Sequence, residues 1–216
     1  IGKCVFKSRG HRNLTSLAGL TDAYQMRSLR DTIRPTTLLE PSKLRDRVGL
    51  DITIATETFQ HTGSFKFRAG YNLALSVPND QILTASSGNF GQAVAYACKL
   101  LGKKCTVVMP TTSAQVKIDA VRGFGATVDL IDTSKVARSD RVMQLAATMP
   151  GAYIASAYDD EFVIAGNATL GEELAMHDFE IIVVPIGGGG LISGIVSGLK
   201  PDGTRPNVMG AEPLSG

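Results

Sequence analysis

The chain has 216 residues, with 22 Lys and Arg against 20 Asp and Glu, a net charge of +2, 44% hydrophobic residues and 19% charged ones. That composition belongs to a globular protein with a real core and excludes both a mini-protein and a disordered tail. The near-neutral balance gives no reason to expect nucleic acid or an anionic membrane as the main partner.

The first 34 residues mix charges and small polar groups without a firm period and read as an extension or capping segment without chemistry. Their opening, IGKCVFKSRGHRN, lacks the apolar core of a secretory signal, and no apolar run in the chain approaches the roughly 18 residues needed to span a bilayer. Three cysteines, Cys4, Cys98 and Cys105, cannot all pair with one another and form no C-x-x-C, which fits a reducing compartment. A cytoplasmic protein is the expectation.

After Pro35, TTLLEPSKLRDRV reads as a turn and a short helix, and LDITIATE alternates as a strand. From about residue 81 a strand-then-helix rhythm sets in. QILTAS predicts a strand, and QAVAYACKLLG predicts a helix, starting near Gly91, with Ala93, Ala97, Leu100 and Leu101 on one face and a stop at Gly102. KCTVVMP with AQVKIDAVRGFG, and TVDLID with SKVARSDRVMQLAATM, repeat the pair. GAYIAS, DDEFVIAGNATLGEELAMH, EIIVVPI, LISGIVSGL and NVMGAEP continue it to the end. Strands such as VVM and IIVVPI are apolar without alternation, which indicates cover on both faces; the class is α/β with mostly parallel sheet. No Pro/Gly-rich linker marks a boundary, so any second domain is continuous with the first through ordered structure.

Three segments could carry chemistry: TGSFKFRAGYN at 62–72, SSGNFGQ at 86–92 and GGGGLISG at 187–194. The last two sit at strand-to-helix junctions, where ligands gather in open α/β sheets. Gly187, Gly188, Gly189 and Gly190 follow a buried strand and open a helix, so bare N–H groups and the helix dipole favour an anion of phosphate type over a flexible linker. Their spacing matches neither a dinucleotide fingerprint nor a nucleotide P-loop. Lys66 lies between Phe65 and Phe67 at a helix start; desolvation and the dipole would lower its pKa, as an amine nucleophile requires, although a lone lysine is ordinarily a solvated one. Ser86, Ser87 and Asn89 either cap the helix that follows or present donors to a ligand, and the two roles are compatible. Asp159, Asp160 and Glu161 read as a helix-start cap. His11, His61 and His177 show no ligand spacing, and no serine-hydrolase elbow is present.

In this order and spacing the three segments together resemble the fold-type II pyridoxal-phosphate enzymes, and within them the serine/threonine dehydratase and serine racemase branch. RPTTLLEPSKL, VVMPTTSAQVKIDAVRGFGATV and DDEFVIAGNATLGEEL extend the likeness over about residues 34 to 213. The resemblance implies two open, mostly parallel three-layer α/β domains of the tryptophan synthase β-like architecture. A small domain at 81–159 would be inserted in a large cofactor-binding domain made of 1–80 and 160–216, whose C-terminal part the chain would lack.

By that resemblance Lys66 is the Schiff-base lysine and α-proton base, Asn89 bonds the cofactor's ring hydroxyl, and Gly187, Gly188, Gly189 and Gly190 bind its phosphate. Ser86, Ser87, Gly88 and Gln92 surround the substrate carboxylate, Ser87 occupies the position opposite the lysine in racemases, and Glu212 matches a ligand for a mono- or divalent cation. The implied reaction is loss of water from a β-hydroxy amino acid to give a 2-oxo acid and ammonia in a homodimer, with no nucleic acid or membrane as partner. Racemisation, β-replacement, and a shortened inactive relative are the alternatives. Ala69-Gly70 in place of Gly-Ala, Phe90 in place of a histidine, and GNATLG in place of a GQGT pattern depart from the family. The partner of the cofactor's pyridine nitrogen has no candidate on the chain.

Overall fold

A computed structural model describes residues 29–199 and 206–214. Cys4, His11 and the rest of the N-terminal extension up to residue 28 lie outside the described residues. The elements run β1 (Thr37–Leu39), α1 (Ser42–Val48), β2 (Ile54–Thr56), α2 (Lys66–Ser76), β3 (Gln81–Ala85), α3 (Asn89–Leu101), β4 (Lys104–Pro110) and α4 (Gln115–Gly123). They continue with β5 (Thr127–Ile131), α5 (Arg138–Thr148), β6 (Tyr153–Ala155), α6 (Glu161–Leu174), β7 (Ile181–Pro185), α7 (Gly190–Gly198) and β8 (Asn207–Ala211).

Residues 81–155 build a four-stranded sheet in the order β5-β4-β3-β6, with every pairing parallel. Its central strands, β3 and β4, are covered on both faces. Val107 and Met109 of β4 are buried in one cluster with Val94 and Cys98 of α3 and Ile118 and Val121 of α4. Val108, pointing the other way, joins Leu83, Ile131 and Val142 of α5 in a second cluster. Side chains that alternate between two apolar layers explain why KCTVVMP shows no polar face. A second parallel pair, β7-β8, packs under α6 and α7 around Leu170, Leu174, Val184 and Ile195. The fold is therefore α/β with parallel sheets.

Helix α2 connects the two parts. Its buried face includes Phe67, Leu73 and Ala74, and it packs on α3, where Gly70 lies against the backbone of Ala93 and Val94. On its other side Gly166 of α6 lies against the backbone of Arg68 and Ala69. The Ala69-Gly70 order thus places the residue without a side chain at the crossing with α3.

Four local expectations need correction. EIIVVPI, read as covered on both faces, is covered on one only: Val184 is buried under the helices, whereas Ile181 and Val183 on the opposite face are exposed. TTLLEP contains a strand, because Thr37, Leu38 and Leu39 pair antiparallel with Thr56, Ala55 and Ile54. The end of the presumed extension is part of the core: residues 29–32 are helical, and Leu29 and Ile33 are buried in the main cluster. Helix α3 starts at Asn89 rather than near Gly91, and while Ala93 and Ala97 are fully buried, Leu100 in the last turn is half exposed and Leu101 takes the packed position.

Candidate active site

The strand order defines where a ligand would sit. The chain moves outward from β3 through β4 to β5, then returns to the opposite side of β3 to lay down β6. The carboxyl ends of β3 and β6 flank the point where the order reverses, the usual ligand crevice of an open α/β sheet. A cleft of about 670 Å³ opens there, lined by Ser86 and Ser87 after β3, Ser156, Ala157 and Tyr158 after β6, and Arg138 of α5.

Lys66 begins α2, and its Nζ donates to the carbonyl oxygen of Ala157 at 2.8 Å. The ammonium lies 5.1 Å from the Phe65 ring centre and 5.6 Å from that of Phe90. Burial against these rings lowers the lysine pKa from its ordinary value. The second aromatic neighbour is therefore Phe90, the residue that departs from the family pattern, and not Phe67. Consecutive helical residues point about 100° apart, and Phe67 is turned into the core against His61, Tyr71 and Tyr96.

The SSGNFGQ segment forms the turn from β3 into α3. Ser86 is buried, and its Oγ accepts from the N–H of Gly91 at 2.9 Å and of Gly88 at 3.3 Å. It thus satisfies amides at the start of α3 in the capping sense. Ser87 is exposed, and its hydroxyl makes no hydrogen bond with the described residues. Asn89 and Gln92 each turn their side-chain oxygen to Lys117 of α4, at 2.6 and 3.3 Å.

The glycine loop enters α7 with Gly189 at φ +84° as its N-cap and no side-chain cap, so its first N–H groups are left to a ligand or solvent. Tyr158 explains why two of these positions carry no side chain, and the positive φ of Gly189 accounts for a third. A Cβ on Gly188 would meet the Tyr158 ring, and one on Gly190 would come within 2.8 Å of the Tyr158 backbone. Asn167, in the GNATLG departure, donates to the Gly190 carbonyl oxygen at 3.0 Å and steadies the start of α7.

One loop, 156–160, touches the lysine and the glycine segments and lines the cleft together with Ser86 and Ser87. The Ala157 carbonyl oxygen accepts from the lysine ammonium, Tyr158 covers Gly188 and Gly190, and within the loop Ser156 Oγ accepts from the N–H of Asp159 at 3.1 Å. Asp160 caps α6 by accepting from the N–H of Phe162 and Val163, and it also accepts from the Tyr153 hydroxyl at 3.0 Å. Sequence reasoning gave this loop only the cap. Its position after β6 was the available signal, since ligands collect at strand carboxyl ends. Lys117 carried no comparable signal, because its partners lie on another helix, and Phe90 was marked only as a departure from the family pattern and not as a neighbour of Lys66. Glu212 stands exposed just past β8, and among the described residues no group of three His, Cys, Asp or Glu is placed to hold a metal.

The family described as pyridoxal-phosphate dependent enzyme matches residues 29–216 of this chain. The catabolic L-threonine dehydratase of Staphylococcus aureus is 34% identical over 207 residues, which cover 93% of this chain and 59% of the relative. The processed form of threonine deaminase isoform 2 from Solanum lycopersicum superposes with a TM-score of 0.79 at 32% identity, over 92% of this chain and 57% of that one. A serine racemase from Dictyostelium discoideum gives 0.81 at 33% identity, over 90% and 65%. The chain spans about three fifths of the length of the curated relatives it matches. On its sequence and its fold alike, it belongs to the family of pyridoxal-phosphate dependent enzymes.

Proposed function

We propose that the protein containing this chain removes water from a β-hydroxy amino acid of the serine or threonine type, releasing a 2-oxo acid and ammonia, with pyridoxal phosphate attached at Lys66. The observation that carries this reading is the lysine itself: a half-buried ammonium with a lowered pKa, held by one backbone carbonyl beside the switch-point cleft. The residues present fit the cofactor. Gly189 turns left-handed ahead of α7, leaving uncapped N–H groups for a phosphate. Ser64 Oγ, two residues before Lys66, is buried without a hydrogen-bond partner. When bound, the cofactor supplies an electron sink that stabilises negative charge at the substrate α-carbon.

The protein's own groups supply the rest. Lys66, its Nζ released when the substrate's amine takes its place, is poised as a free amine more readily than a solvated lysine and takes the α-proton at Nζ. Asn89 would help hold the cofactor by donating to its ring hydroxyl. Ser86, Ser87, Gly88 and Gln92 surround the substrate carboxylate; the Ser86 hydroxyl, already accepting from two amides, still has its own proton to donate. Residues 81–159 act as a small domain against a large one made of 1–80 and 160–216. The test is borohydride reduction of the full-length protein with pyridoxal phosphate, followed by mass spectrometry. A pyridoxyl mass on Lys66, keto-acid release from serine or threonine, and loss of both in Lys66→Ala are expected; turnover surviving in Lys66→Ala would sink the proposal.

Racemisation is the second reading, favoured by the exposed, unbonded hydroxyl of Ser87, free to hand a proton to the face opposite Lys66. Chiral chromatography of recovered serine decides it. Unchanged enantiomeric composition during turnover rules racemisation out.

A further inference from the structure

Lys117 of α4 occupies a position that the proposed chemistry does not explain. Its ammonium spans the gap to α3 and donates to Asn89 Oδ1 at 2.6 Å and Gln92 Oε1 at 3.3 Å. These two carboxamides are three residues apart on the first turns of α3 and so share a face. Among the described residues Lys117 has no ion-pair partner. The first turn of α3 also holds no acidic residue. A cation is thus held at the positive end of a helix dipole, where the field opposes it, by two neutral oxygens.

A carboxamide has an accepting end and a donating end, and an ammonium is satisfied only by the accepting one. With both oxygens committed to Lys117, the NH2 groups of Asn89 and Gln92 are turned the other way. Neither donates to another described residue. Two free NH2 groups, a helix N-terminus and an uncompensated cation together suit an anionic oxygen.

We propose that Lys117 is a positioning residue that locks the carboxamides of Asn89 and Gln92 as hydrogen-bond donors toward anionic oxygens, the ionised ring hydroxyl of the cofactor and the substrate carboxylate. This rests on the function proposed above. The cation acts twice: it selects one of the two orientations of each amide, and it adds positive potential behind the donors.

The experiment compares Lys117→Met, which keeps the stem and loses the charge, with Lys117→Arg in the full-length protein. Three readouts are taken: the side-chain amide resonances of Asn89 and Gln92 without cofactor, the Kd for pyridoxal phosphate, and KM and kcat for serine and threonine. The Met variant should move both amide resonances, weaken cofactor binding and raise KM by about tenfold or more, the usual scale for losing a charge-assisted hydrogen bond. Its kcat should change less, its thermal unfolding should match wild type, and the Arg variant should recover most of the loss. Unmoved resonances, or wild-type Kd and KM in the Met variant, overturn the inference while leaving the proposed function standing. A wild-type protein that takes up no pyridoxal phosphate overturns the function, and the donor role of Lys117 with it.

Discussion

Ser86 and Ser87 are neighbours in sequence with different positions in the structure. The Ser86 hydroxyl is engaged with two amides at the start of α3, and the Ser87 hydroxyl is free at the surface of the cleft. Ser86→Ala should therefore lower stability by about 1 kcal/mol, as loss of a cap does, whereas Ser87→Ala should leave the urea midpoint in place and alter turnover. Equal midpoints for the two variants would contradict the assignment. The sequence left capping and ligand binding open for this pair, because both roles call for the same residue types at the same turn. Lys66 gives a pH prediction. Burial puts its folded-state pKa below the ordinary 10.5. Between those two values the unfolded chain carries a proton that the folded chain lacks, so stability attributable to this residue rises with pH across that window. In the cofactor-free protein Lys66→Met should accordingly be more stable than wild type near neutrality, with the gap closing as pH approaches 10.5. Urea titrations at the two pH values check this, and a gap that widens with pH would refute it.

The helices show what a one-dimensional pattern conveys and what it omits. Strands and helices from β3 to β8 were legible, because buried parallel strands and amphipathic helices leave regular apolar traces. Strand β1 was not, since three half-exposed residues ahead of a proline look like a turn. Glycines in α6 and α7 were equally opaque. A Cβ on Gly194 would meet the Asn167 side chain and approach the Ile164 carbonyl oxygen at 2.8 Å, and one on Gly198 would strike the backbone of Ala168. These glycines let α7 lie directly on α6, a contact between helices that the sequence does not bring together. Gly123 ends α4 with open space around its Cα and no positive φ. Gly194→Ala should cost about 1 to 3 kcal/mol by forcing the helices apart, whereas Gly123→Ala should be neutral or gain a few tenths. Denaturation midpoints for both variants separate the cases.

At the scale of the whole molecule, Arg68 ties together segments that are far apart in the chain. Its side chain is fully buried, and it pairs with Glu57 at 2.8 Å and Glu173 at 2.6 Å, bonds Thr169 at 3.1 Å, and reaches the Arg34 carbonyl oxygen at 3.2 Å. No local pattern announces such a cluster, since its members are charged residues of ordinary spacing until the fold gathers them. Removing one partner of a buried pair leaves the others uncompensated. Arg68→Met should lower stability by about 3 to 5 kcal/mol in urea unfolding, a larger effect than either glycine change, and a loss below 1 kcal/mol would show that solvent already satisfies the two carboxylates. The residues of the proposed site were legible as motifs, whereas the contacts that loop 156–160 makes with Lys66 and with the glycines appeared only once β6 lay beside β3.

That placement of β6 also sets an order of events. The β3–β4 and β4–β5 pairings each close over a single helix, but the Thr84 hydroxyl meets the Ala155 carbonyl oxygen across 71 positions of chain. Closing so long a loop costs more entropy and comes later than forming neighbouring strand–helix units. The cleft between β3 and β6 is therefore expected to be the last part of this sheet to assemble and the first to open. Amide hydrogen exchange should find Ile154 of β6 trading protons with solvent ahead of Val107 of β4. On that order, a nascent chain would complete the cleft only when the final strand of the sheet has docked.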